Sequence, residues 1–178
     1  MKTWMQRGMA GALMAGLMAT AAPAQDEEST NRVAAETDWS VFVETDPQEC
    51  WAVSTPKETV NTRDGRVVSV RRGDILLFVS YRPADDVMGE VSFTGGYPYE
   101  EGSTVEVEIG SDTFQLFTDG EWAWPASPED DAALMEAMRA GAEAVITGIS
   151  SRGTTTEDTF SLFGFTAATE EAETRCSG

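Results

Sequence analysis

Carboxylates, two cysteines and one lysine outside the first 24 residues are the reactive groups this sequence offers. It carries 31 Asp and Glu against 12 Lys and Arg, and no histidine. Without histidine the commonest general base and the commonest transition-metal ligand are missing, and a Ser-His-Asp arrangement is excluded. Two carboxylates flanking a cleft can hydrolyse glycosidic bonds. The doublets Asp85-Asp86, Glu100-Glu101 and Asp130-Asp131 fall in expected loops or at a helix start. No spacing sets two of them across one cleft, so they read as solvated surface charge. A Ser-Lys pair would need Lys57, which stands beside Pro56 in a polar stretch, and the hydroxyl-rich SSRGTTTEDT at 150–159 reads as a hairpin turn. Oxygen ligands suit calcium, but no D-x-D-x-D-G loop is present. No catalytic residue, metal site or cofactor is assigned.

The cysteines are Cys50 and Cys176. Residues 1–24 have the three parts of a secretory signal peptide: Lys2 and Arg7, then the apolar or small run GMAGALMAGLMATAA, then the A-x-A site Ala22-Pro23-Ala24. The run is shorter than the roughly 20 residues a helix needs to span a bilayer, and no later stretch is long and apolar enough. The expected location is therefore the periplasm or the medium, with no membrane span after cleavage. Two cysteines in an exported chain suggest one structural disulfide, closing nearly the whole folded chain. The chain-entropy model values such a loop at up to about 5 kcal/mol.

Loss of Lys2 and Arg7 with the signal segment takes the formal charge from −19 to −21. That field repels nucleic acid and anionic lipid, and favours cationic partners. What remains after residue 24 is one domain's worth of chain.

The elements that must position these groups are mostly strands. Residues 25–37, QDEESTNRVAAET, have no apolar period and read as a disordered acidic leader, with a single domain over 38–178. DWSVFVE and CWAVS alternate as strands, and Asp64-Gly65 marks a hairpin. ILLFVSY at 75–81 is a continuous apolar run, expected to be a central strand buried on both faces. EVSF, TVEVEI, DTFQLFT and EWAW follow, the last two joined by the turn Asp119-Gly120. Ser127, Pro128 and three acids open a helix over 128–140, with Arg139 in its last turn and Gly141 as a left-handed cap. AVITGIS and DTFSLFGF return to strand, and TAATEEAETRC reads as a short C-terminal helix carrying Cys176. About nine short strands and two helices predict a mainly β domain, a β-sandwich or barrel-like fold with a helix over an open end or edge.

Two groups of residues could form a binding face. One is aromatic: Trp122 and Trp124 share a strand face, and Tyr97 and Tyr99 flank Pro98. The other is basic: Arg63, Arg66, Arg71, Arg72 and Arg82 gather within 20 residues and could dock an anion or a partner. Core filling for the aromatics and pairing with surplus acids for the arginines remain open.

The order and spacing of several motifs resemble the invasion-associated locus B (IalB) family of small exported bacterial proteins. They are DW-x-V at 38–41, EC at 49–50, the F-x-x-x-x-x-G segment at 114–120, the acidic helix followed by Gly141, and FSLFGF-x-x-A at 160–168. The resemblance covers essentially the whole chain after the signal segment. It departs where family members carry cysteines and this chain has Val43, Phe117 and Trp122, which implies a rewired disulfide with Cys176 as the new partner of Cys50. The resemblance implies an envelope or extracellular binding role, with a link to host-cell invasion in pathogens, and brings no catalytic residues. The expected function is a non-enzymatic interaction protein whose partner is an envelope or extracellular protein or glycan. The alternative is a carboxylate-dependent hydrolase acting on envelope glycans.

Overall fold

The computed structural model describes residues 31–177. The expected signal peptide and residues 25–30 of the expected leader lie outside the described residues. In chain order the elements are β1 (Arg32–Glu36), β2 (Trp39–Thr45), β3 (Gln48–Ser54), β4 (Glu58–Arg63), β5 (Arg66–Val67), β6 (Leu76–Arg82), β7 (Val87–Thr94), β8 (Thr104–Ile109), β9 (Asp112–Asp119), β10 (Trp122–Trp124), α1 (Pro128–Ala140), β11 (Glu143–Ile149), β12 (Thr155–Ser161) and α2 (Phe165–Cys176). The strands form one antiparallel sheet in the order β1-β2-β3-β6-β7-β10-β9-β8-β11-β12-β4-β5. The mainly β class is as expected, with twelve strands among the described residues rather than about nine.

Alternation places the core. On β8, Val105, Val107 and Ile109 point inward, and on β6, Leu77, Val79 and Tyr81 do. Phe93 of β7 meets Phe160 of β12 edge-on at 6.0 Å, so the sheet curls until its inner face packs on itself. Each large apolar side chain so enclosed contributes about 1.5–3 kcal/mol.

The helices pack on the β1-β2-β3-β6-β7 half of the sheet, α1 on β7 and α2 mainly on β2 and β3. In α1 the Ser127 hydroxyl accepts from the Asp130 N–H at 3.2 Å, and Leu134, Met135 and Met138 are buried. α2 lies along β2 and β3 and buries Phe165, Ala168, Ala172 and Cys176. Phe165 meets Trp39 edge-on at 5.0 Å, and the Trp39 indole N–H donates to the Ser161 carbonyl at 3.0 Å. Cys176 is bonded to Cys50 with an S–S distance of 2.01 Å and a Cα–Cα distance of 6.0 Å, across 126 positions of sequence. The Cα separation is that of an ordinary bridge.

Four local expectations are corrected. Arg32–Glu36, assigned to the leader, is a strand, because β2 offers an edge on which it pairs. β6 is central but its apolar burial is one-sided: Leu77, Val79 and Tyr81 are enclosed, while Leu76, Phe78 and Arg82 lie half-buried on the outer side. The strand expected over 158–165 ends at Ser161, and Phe165 begins α2. Gly141 caps α1 at φ −85°, so it is not left-handed. A side chain there would strike Ile109 Cγ2 at 2.5 Å, so close approach of α1 to β8 explains the glycine.

Candidate functional site

The outer face of β3, β6, β7, β10 and β9 carries a row of aromatic rings. Trp122 and Trp124 alternate with buried Ala123, so both indoles point outward; they stack at 6.5 Å with planes 22° apart. Phe78 lies 5.6 Å from Trp122. Trp51, Phe78, Trp122 and Trp124 line a shallow depression of about 340 Å³, with Ser80, Ser92, Arg82 and Glu90 among them. Phe117 stands opposite Trp124 in the β9–β10 register and is 58% exposed; Phe42 stands opposite Trp51 across β2–β3. Directly opposed residues of an antiparallel pair share a face, so Phe42 and Phe117 extend the row at both ends.

Tyr97 and Tyr99 do not join this face. They meet each other edge-on at 5.0 Å, and Tyr99 is buried. Burial pushes both phenols up, with the Tyr97 hydroxyl held 2.6 Å from Thr156 Oγ1. The expected aromatic face is thus two separate pairs, with only the tryptophans presented outward.

Tyr97 belongs instead to the end of the sheet where β7 and β12 approach the segment before β6. Asp158 points inward from β12 and is fully buried. Arg72 reaches it with two parallel bonds, Nη1 to Oδ1 at 2.8 Å and Nη2 to Oδ2 at 2.5 Å. Its Nε donates to the Gly95 carbonyl at 2.7 Å, and the Tyr97 ring covers the guanidinium at 5.0 Å. Burial pushes the Asp158 carboxyl up, and the bonds and charge of Arg72 pull against it. Gly96 makes the approach possible: it sits at φ +72°, and a Cβ there would lie 2.6 Å from the Gly73 carbonyl oxygen.

Above this plug opens a cleft of about 530 Å³ lined by Arg63, Arg71, Arg72 and Arg152, with Tyr97, Ser150, Ser151, Thr154 and Thr156 among its other walls. Of the five arginines singled out from sequence, three meet here. Arg66 lies on β5 outside the lining, and Arg82 joins the aromatic depression, paired with Glu90 at 2.9 Å and Asp85 at 3.7 Å. Arg152 was hidden in the hydroxyl-rich turn.

The carboxylate doublets also separate. Glu100 and Glu101 are exposed in a turn. Asp131 is half-buried rather than solvated, and its Oδ1 accepts from the Val91 N–H at 2.8 Å. Burial pushes its carboxyl up to about 6 against that bond, with Glu90 and Asp130 adding to the rise. Glu90, Asp86 and Glu173 line the same cleft, which also holds the buried Tyr81, whose hydroxyl burial pushes up to about 12. Lys57 pairs with Asp38, whose carboxyl is held below its ordinary value by hydrogen bonds from Lys57 and Ser161. Among the described residues no group of three or more Cys, Asp and Glu could hold a metal ion.

A family model described as "Invasion associated locus B (IalB) protein" matches residues 39–173. Among solved structures, invasion associated protein b from Bartonella henselae superposes with a TM-score of 0.56 at 15% identity, over 82% of this chain and 98% of that one. At that identity the likeness speaks for the fold alone. No curated protein matches.

Proposed function

The chain belongs to the invasion associated locus B family, and from that premise we propose that it is an exported, non-enzymatic interaction module of the bacterial envelope that docks a glycan on its outer aromatic face. The carrying observation is the row of Trp51, Phe78, Trp122 and Trp124, kept on the solvent side of the sheet with Ser80, Ser92, Arg82 and Glu90 set among the rings. Flat rings held rigid by strands stack on sugar faces, while the interleaved polar groups meet hydroxyls. The charge of −19 directs the module away from nucleic acid and anionic lipid. No helix among the described residues is long and apolar enough to cross a membrane. The signal-peptide pattern of residues 1–24 and the disulfide support a periplasmic or secreted location. In a pathogen the glycan would be one of the host surface, as the family name suggests.

Titration with soluble envelope oligosaccharides, read by tryptophan emission, tests the proposal. Wild type should respond, and W122A/W124A should lose both response and retention on immobilised glycan. Unchanged retention of the double variant, or capture by envelope protein alone, overturns the glycan reading.

The hydrolase alternative has one observation in its favour, since Asp131, with its raised carboxyl, shares a cleft with Glu90. Both have other occupations: Asp131 caps the Val91 N–H, and Glu90 pairs with Arg82. Turnover of an envelope glycan that vanishes in E90Q or D131N would replace the binding reading with this one.

A further inference from the structure

We propose that the arginine-lined cleft above the Arg72–Asp158 plug is a site for a phosphoryl oxyanion. Four arginines reach it from three different parts of the chain: Arg63 at the end of β4, Arg71 and Arg72 before β6, and Arg152 in the β11–β12 turn. Arg72 is spent on Asp158, which fixes the floor. Arg71 and Arg152 have no carboxylate partner among the described residues, and Arg63 donates only to Thr154 Oγ1 at 2.5 Å. Arg66 stands directly opposite Arg63 across β4–β5, a like-charge pair that disfavours the hairpin. In a chain with 31 acids for 12 bases, a cleft that gathers four arginines is a local excess of positive charge. Here the single carboxylate among the lining residues is Glu121.

Guanidinium groups converging from several directions suit a tetrahedral, doubly charged anion, and Ser150, Ser151 and Thr154 supply neutral donors beside them. The negative field of the whole molecule turns away polyanions, so the group is a compact phosphate, free or carried as a substituent on a sugar. Glu121 of the cleft precedes Trp122 of the aromatic row in sequence, and W122A tests whether one phosphorylated glycan spans both surfaces. The site itself does not depend on the glycan reading.

Calorimetric titration at low salt with inorganic phosphate and with N-acetylglucosamine 1-phosphate tests it. Wild type should bind at least one probe, less tightly as salt rises. R71A/R152A should weaken binding about ten- to a hundredfold for each arginine that donates a charged hydrogen bond. R175A, which removes one positive charge from α2, should bind like wild type. Tighter binding of the sugar phosphate, lost to W122A while inorganic phosphate binding persists, identifies a phosphorylated glycan. Equal binding of both probes, indifferent to W122A, identifies phosphate itself and leaves the glycan proposal to its own test. No binding of either probe, or wild-type binding by a folded R71A/R152A, overturns the site.

Discussion

The two ends of the β6–β7 ribbon are closed by different physics. At the Tyr81–Gly89 end the closure is apolar and covalent: Cys176 of α2 is bonded to Cys50 beside Tyr81, and Met135 of α1 sits over Gly89. At the Ile75–Gly96 end a buried ion pair, Arg72–Asp158, roofed by Tyr97, does the same work. An apolar lid gains from every methylene it removes from water. An ionic plug gains little overall, because desolvation of both charges offsets their attraction, yet it is costly to break from one side. The helix end is therefore suited to holding the fold together, and the plug end to keeping a polar cleft in a fixed shape.

The largest effect should come from severing the covalent end. C50S/C176S should lose up to about 5 kcal/mol, the chain-entropy value for a loop of 126 residues. Denaturant unfolding would show it as a fall in midpoint, and reduction of the wild type should reproduce it. Equal stability with and without the bridge would mean that the apolar lid suffices alone.

R72A should cost about 3–5 kcal/mol, because it leaves Asp158 buried and charged without its partner. If the plug is there for shape rather than stability, R72M/D158L should recover most of that loss in thermal unfolding. A double variant no more stable than R72A would refute the contrast drawn between the two ends.

The smallest effect belongs to Asp131 and appears only as a pH dependence. β10 pairs with β7 through Thr94 and Phe93 only, so the Val91 N–H beyond it is left to the Asp131 carboxylate. The folded carboxyl sits near 6, above its ordinary 3.8. Stability that depends on its neutral form is complete below about pH 4 and is lost as pH rises through about 6. D131N, neutral throughout, should melt higher than wild type at pH 8, and the gap should close toward pH 4. A gap that widens on acidification would reverse the sign of the argument.

Much of the fold was legible because single-face alternation is a local signal. β2, β3 and β8 announce their inner faces, and α1 is bounded by Ser127 and Ala140 as its capping residues imply. What stayed hidden depends on partners distant in sequence. An apolar run such as residues 75–81 cannot say which of its faces another layer will cover, so nothing in the run marks Phe78 as the outward residue. Residues 32–36 have no apolar period of their own, and the edge of β2 recruits them. Trp122 and Trp124 were legible as a shared face, but Trp51 and Phe78 join them only through the pairing of β3, β6, β7 and β10. Arg152 meets Arg63 and Arg71 because β12 pairs with β4, an adjacency that no spacing in the chain records.

The Cys50–Cys176 bridge also has a consequence in time. Its second thiol is made 126 positions after the first, so Cys50 stays reduced while most of the chain is synthesised. Through that wait it has no wrong partner, because the sequence contains only these two cysteines. Mispairing within one molecule is impossible, so oxidation calls for no reshuffling among the chain's own cysteines. A chain with several cysteines must search among pairings and depends on an isomerase to correct its errors. This one needs an oxidant alone, and its bridge records that β3 and α2 have already found each other.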